Sequence, residues 1–115
     1  MKAIICKVGE PAYVGEINGY EQMKEVVGGW IESIYPYEDE VALVCNEEGK
    51  IKSLPLNRFL HDERGKLLDV ICGDFFLCGV GEEDFIDIPE ELVDKYKEIM
   101  DNEMMFLSVS ANYRK

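Results

Sequence analysis

Residues Val41-Ala42-Leu43-Val44-Cys45 are five apolar positions without a break. A strand with one wet face alternates apolar and polar residues, so an unbroken run of this length predicts a buried central strand. The acidic loop Pro36 to Glu40 precedes it. Asn46-Glu47-Glu48-Gly49 follows as a tight turn, since Asn and Gly tolerate positive φ. The alternation from Lys50 to Leu54 then predicts the returning strand of a hairpin, ended by Pro55.

The remaining elements are placed around that strand. Residues 2–8 predict a first strand, and Ala12 to Ile17 a second beyond the turn at Gly9-Glu10-Pro11. Asn18-Gly19 signals the start of a helix over Tyr20–Val27, where Tyr20, Met23, Val26 and Val27 recur at helical spacing and Gly28 terminates it. Trp30, Ile31, Ile34 and Tyr35 predict another strand. Asn57 to Lys66 is polar and reads as irregular. Val70, Ile71 and Phe75–Val80 predict a strand region broken at Gly73-Asp74. Asp87-Ile88-Pro89-Glu90-Glu91 is a helix start with Asp87 or a neighbour as the cap, followed by the apolar stripe Leu92, Val93, Tyr96, Ile99 and Met100. That stripe reads as core packing. Residues 104–115 predict a last strand or a docking tail. The apolar Met104, Met105, Phe106 and Leu107 there suit either a homo-oligomer seam or contact with the chain's own core. The sum is one α+β domain over residues 1–115, with a mostly antiparallel sheet of about five to six strands and two packed helices.

Composition excludes several functions. The net charge is −12, from 24 acids and 12 bases. That balance repels nucleic acid and anionic membrane, so neither is an expected direct partner. No apolar run approaches the roughly 18–20 residues of a membrane span. Met1 to Cys6 is too short for a signal-peptide core, so the expected location is the cytoplasm. Cys6, Cys45, Cys72 and Cys78 form no C-x-x-C pair, and His61 is the single histidine. A structural zinc site is therefore not expected, and buried reduced thiols in a reducing compartment are.

Catalytic patterns are missing as well. There is no phosphate-binding loop, no G-x-G-x-x-G and no G-x-S-x-G. His61-Asp62-Glu63-Arg64 reads as a solvated charged loop, and Glu47-Glu48 and Glu82-Glu83-Asp84 as acids facing water. The expectation is a non-enzymatic protein without catalytic residues, metal or cofactor.

Charge is unevenly spread. Residues 50–66 hold Lys50, Lys52, Arg58, Arg64 and Lys66 against Asp62 and Glu63, so the segment is +3 and the remaining 98 residues are −15. A basic island of this kind suits a small anionic ligand. Arg58 is placed to pair a phosphate or carboxylate, and Asn46 and Asn57 to bond a base edge. Trp30 and Tyr35 offer stacking faces, and Asp74 an acceptor for a ribose hydroxyl.

Three motifs carry a resemblance: Val27-Gly28-Gly29-Trp30-Ile31-Glu32; Asn46-Glu47-Glu48-Gly49 followed by Leu54-Pro55-Leu56-Asn57; and Ile71-Cys72-Gly73-Asp74 leading to Gly79. In order and spacing the chain resembles, from about residue 2 to residue 106, the family catalogued as domain of unknown function 3846. The resemblance implies a protein of phages, plasmids or conjugative elements in a bacterial host cell. It implies no mechanism. Two functions are expected from these readings. The first is a binding protein that sequesters a small anionic, nucleotide-type host defence signal through Trp30, Asn46, Asn57, Arg58 and Asp74. The second is an acidic protein that blocks a basic host nucleic-acid-binding protein, as DNA mimics and antirestriction proteins do.

Overall fold

A computed structural model describes residues 1–105. The strands are β1 (Lys2–Cys6), β2 (Tyr13–Glu16), β3 (Ile31–Ile34), β4 (Val41–Asn46), β5 (Leu56–His61), β6 (Leu67–Cys72), β7 (Phe75–Val80) and β8 (Phe85–Ile86). The helices are α1 (Gly19–Val27) and α2 (Val93–Asn102), the second preceded by a 3-10 turn at Glu90–Leu92. Six strands form an antiparallel sheet in the order β2-β1-β7-β4-β3, with β8 paired to the end of β7. β5 and β6 make a separate two-stranded sheet. The fold is α+β.

The apolar run is where its pattern predicts. All six residues of β4 are buried, with β3 on one edge and β7 on the other. Side chains alternate between two cores. Ala3, Ile5, Ala42, Val44, Phe76 and Cys78 face α1, which lays Met23, Val26 and Val27 on that side. Ile4, Cys6, Val41, Leu43, Phe75 and Leu77 face α2, which contributes Val93, Tyr96 and Met100. One helix per face explains why the central strands have no polar alternation. Gly28 takes a left-handed φ of 80° at the end of α1, and its N–H donates to the Lys24 carbonyl, as the terminator reading requires.

Three local expectations are corrected. Residues 50–54 do not return as a strand. Both edges of β4 are already occupied, so a hairpin partner has nowhere to pair. The segment instead winds through turns, with Lys52 N–H bonded to the Glu48 carbonyl and Leu54 N–H to the Gly49 carbonyl. Asn57–Lys66 is not irregular, since its first half is β5. The polar residues that disguised this strand, Asn57 and Arg58, are buried and internally bonded. Asp87 does not cap a helix; its carboxylate accepts the Lys2 N–H at 2.8 Å. The interruption at Gly73-Asp74 separates strands of different sheets, β6 and β7. Of the C-terminal tail, Met104 bridges to Arg58 and Met105 N–H donates to the Asn57 carbonyl, which lines this stretch along β5. Phe106 and Leu107 lie outside the described residues. No helix among the described residues is long and apolar enough to cross a membrane.

Candidate functional site

The residues expected to meet an anionic ligand are mostly inside the protein. Arg58 is 0% exposed. Its Nε donates to the Met100 carbonyl at 2.8 Å, and Nη2 to the Glu10 carbonyl at 2.8 Å. Nη1 donates to the Lys7 carbonyl at 3.2 Å and to Asn57 Oδ1 at 2.5 Å. The guanidinium is thus spent on gathering loop and helix-end carbonyls, and no face of it reaches solvent. Asn57 is 1% exposed, and its amide donates to the carbonyls of Cys6 and Gly73. The amide of Asn46 donates to the Val27 carbonyl, and its oxygen accepts Glu48 N–H. Asp74 accepts the Val8 N–H at 2.9 Å. Trp30 alone of the five is open, at 58% exposure, with Lys24 Nζ 4.7 Å from the ring centroid. Three of the five bases in the basic island are committed within the chain: Lys50 pairs with Asp69, Lys52 pairs with Glu48 at 3.2 Å, and Arg58 is internal.

Several of the motif residues take part in these contacts. Gly29 has no room for a side chain, because a Cβ there would sit 2.9 Å from Asn46 Nδ2. Gly73 takes φ of 82° and donates its N–H to the Pro55 carbonyl. The Val-Gly-Gly, Asn-Glu-Glu-Gly, Leu-Pro-Leu-Asn and Ile-Cys-Gly-Asp segments bond to one another or to β1 and its loop. They join the β5–β6 arm to the main sheet. Residues 1–101 match the family described as domain of unknown function DUF3846. The chain belongs to this family. In this chain, Asn46, Asn57 and Asp74 of those segments make internal bonds. No curated protein matches the chain, and no solved structure does.

A large open feature lies elsewhere, on the α1 side of the sheet. A groove of about 740 Å³ runs between the start of α1, β3 and the β7–β8 turn. Its floor is Ile17, Met23, Ile31 and Val80, and aromatic rings from Tyr20, Tyr35 and Phe85 stand along it. Glu82, Glu83 and Asp84, all exposed, form the rim. The turn that carries them is tight, since Gly81 N–H bonds the Asp84 carbonyl at 2.9 Å. Trp30 flanks the groove rather than lining it. Lys24 lies between the two rings, 5.1 Å from the Tyr20 centroid and 4.7 Å from that of Trp30.

Of the two stacking faces expected from sequence, Tyr35 lines this groove and Trp30 does not, and neither Tyr20 nor the rim was expected there. The signal was present in the alternation Ile31, Ser33, Tyr35, which puts Tyr35 on the α1 face of an edge strand. The acids at 82–84 carry no such signal, because only the tertiary fold sets them beside aromatic rings. Chemically, an apolar floor with aromatic walls and a carboxylate rim takes a ligand with an apolar body and a cationic end.

A second cleft, of about 450 Å³, lies between α2, the β3–β4 loop and the end of β5. His61 is not in a solvated loop. It ends β5, with Nδ1 2.8 Å from Glu103 Oε1 and its N–H donating to Glu103 Oε2 at 2.9 Å. Asp39 accepts from Lys95 Nζ and Tyr96 Oη, both at 2.7 Å. Those two bonds hold the Asp39 carboxyl below its ordinary range. Burial raises Tyr37, whose hydroxyl has no partner among the described residues, and the carboxylate of Glu103 adds to the rise. The cleft ties three elements together.

Proposed function

We propose that this chain is a non-enzymatic binding protein of a mobile genetic element, and that its ligand is a basic segment of a host protein held in the groove beside α1. The observation that carries this reading is the pairing of aromatic walls with the Glu82-Glu83-Asp84 rim. Lysine or arginine stems lie well along aromatic rings, and their charged ends suit a carboxylate rim. The net charge of −12 steers such a partner in from a distance. The mobile-element setting is what the family resemblance implies. Capture of a small anionic, nucleotide-type signal is less well supported, since Arg58, Asn57 and Asn46 are committed to internal bonds.

Panning a displayed peptide library against the immobilised protein tests the reading. Enriched sequences should combine Lys or Arg with an aromatic or aliphatic neighbour. Their binding should weaken with added salt and drop at least about tenfold in a Glu82→Lys/Glu83→Lys variant. Enrichment of acidic peptides, or indifference to the charge reversal, would contradict it.

A further inference from the structure

Two of the exposed rings share a cation. Tyr20 and Lys24 stand four residues apart on α1, so their side chains lie on one face of the helix. The chain then reverses at Gly28, and the N–H groups of Gly28 and Gly29 both donate to the Lys24 carbonyl. That reversal brings Trp30 back beside Lys24. The Trp30 backbone is fixed there, since its carbonyl accepts the Glu47 N–H at 2.9 Å. Lys24 Nζ ends 4.7 Å from the Trp30 centroid and 5.1 Å from that of Tyr20. Both distances are inside the roughly 6 Å at which a ring face attracts a cation. Glu21 completes the set, with its carboxylate 3.2 Å from the same nitrogen.

Two aromatic rings and a carboxylate around one nitrogen are the parts of a cation receptor. Its present occupant is weakly held. The Glu21 side chain is 84% exposed, and an ion pair so open to water contributes little. A primary ammonium is also strongly hydrated. A guanidinium sheds water more readily, lies flat on aromatic rings and meets a carboxylate with two N–H groups. Tyr20 and Trp30 remain 48% and 58% exposed, so a ligand can reach both rings. Tyr20 also stands along the groove beside α1, which makes the two sites neighbours.

We propose that Tyr20, Glu21 and Trp30 form an arginine-binding site that Lys24 fills in the free chain. An incoming arginine displaces the Lys24 ammonium into solvent. The choice of an arginine-bearing protein segment as ligand rests on the groove reading. The site itself uses neither the apolar floor of the groove nor its acidic rim.

Trp30 is the single tryptophan, so its indole N–H is a resolved NMR reporter of this site. The probe is N-acetyl-arginine amide, with N-acetyl-lysine amide as a control of equal charge, both at constant ionic strength. Lys24→Ala empties the site and keeps the helix-ending bonds, which use the Lys24 carbonyl. In that variant the arginine probe should shift the indole signal saturably. Its Kd should be at least about threefold lower than in the wild type, and lower by a similar factor than that of the lysine probe. Adding Glu82→Lys/Glu83→Lys should keep the preference for arginine. No saturable shift in Lys24→Ala, equal Kd values for the two probes, or loss of the preference when the rim is reversed overturns the proposal. Arginine binding here together with failure of the peptide panning would sink the groove reading alone.

Discussion

Arg58 shows how far a residue's type is from its role. As a letter it is the one arginine beside an asparagine in a basic stretch, which suggests a ligand contact. In the fold it is a structural bolt. Its three nitrogens bond three backbone carbonyls and Asn57, gathering the loop after β1, the end of α2 and β5. Charge-assisted bonds of this kind are strong, and their loss strands several buried acceptors. Arg58→Ala should therefore lower unfolding free energy by about 3–5 kcal/mol, read from urea denaturation. A loss below about 1 kcal/mol would show that the guanidinium is not holding the arm. Arg58→Lys should recover little, because a single ammonium cannot reach carbonyls on several sides at once. The buried thiols belong to this scale too. Burial pushes Cys6 and Cys78 up to about 12, which keeps them protonated and inert.

Among the elements, β1, β2, α1, β4 and β7 are legible from sequence because local pattern and tertiary role agree. The β4 run is apolar because both faces are covered, and Gly28 ends α1 because the αL turn there favours glycine. β5 was illegible because its buried positions include Asn57 and Arg58, which satisfy their polarity internally. The false strand at 50–54 had the opposite fault: its alternation met a sheet with no vacant edge beside β4. The β3–β4 loop is tied to α2 through Asp39, and this tie is pH-dependent. Bonds from Lys95 and Tyr96 depress the Asp39 carboxyl below its ordinary 3.8, so the folded state favours the ionised form. The contribution is present above that value and is lost as pH falls through the lower, folded one. Asp39→Asn should remove this part of the acid sensitivity, flattening the urea midpoint against pH between about pH 2 and 5. An unchanged acid limb would mean the loop is held by other contacts.

For the whole molecule, net charge and aromatic surface meet in one place. The chain carries −12, and the groove beside α1 joins exposed rings to an acidic rim. Sequence gave Tyr35 and Trp30 as aromatic faces, yet not the groove, because its rim comes from a turn some fifty residues further along the chain than β3. The binding reading stands or falls on whether that groove is where a cationic, aromatic-bearing segment goes. The direct measurement is an amide NMR titration of the isotopically labelled protein with a short synthetic peptide alternating lysine and tryptophan. The account predicts saturable shifts at the start of α1, along β3 and at residues 81–85, with smaller changes around the β5–β6 arm. Shifts centred on any other face, or none at peptide excess, would contradict it.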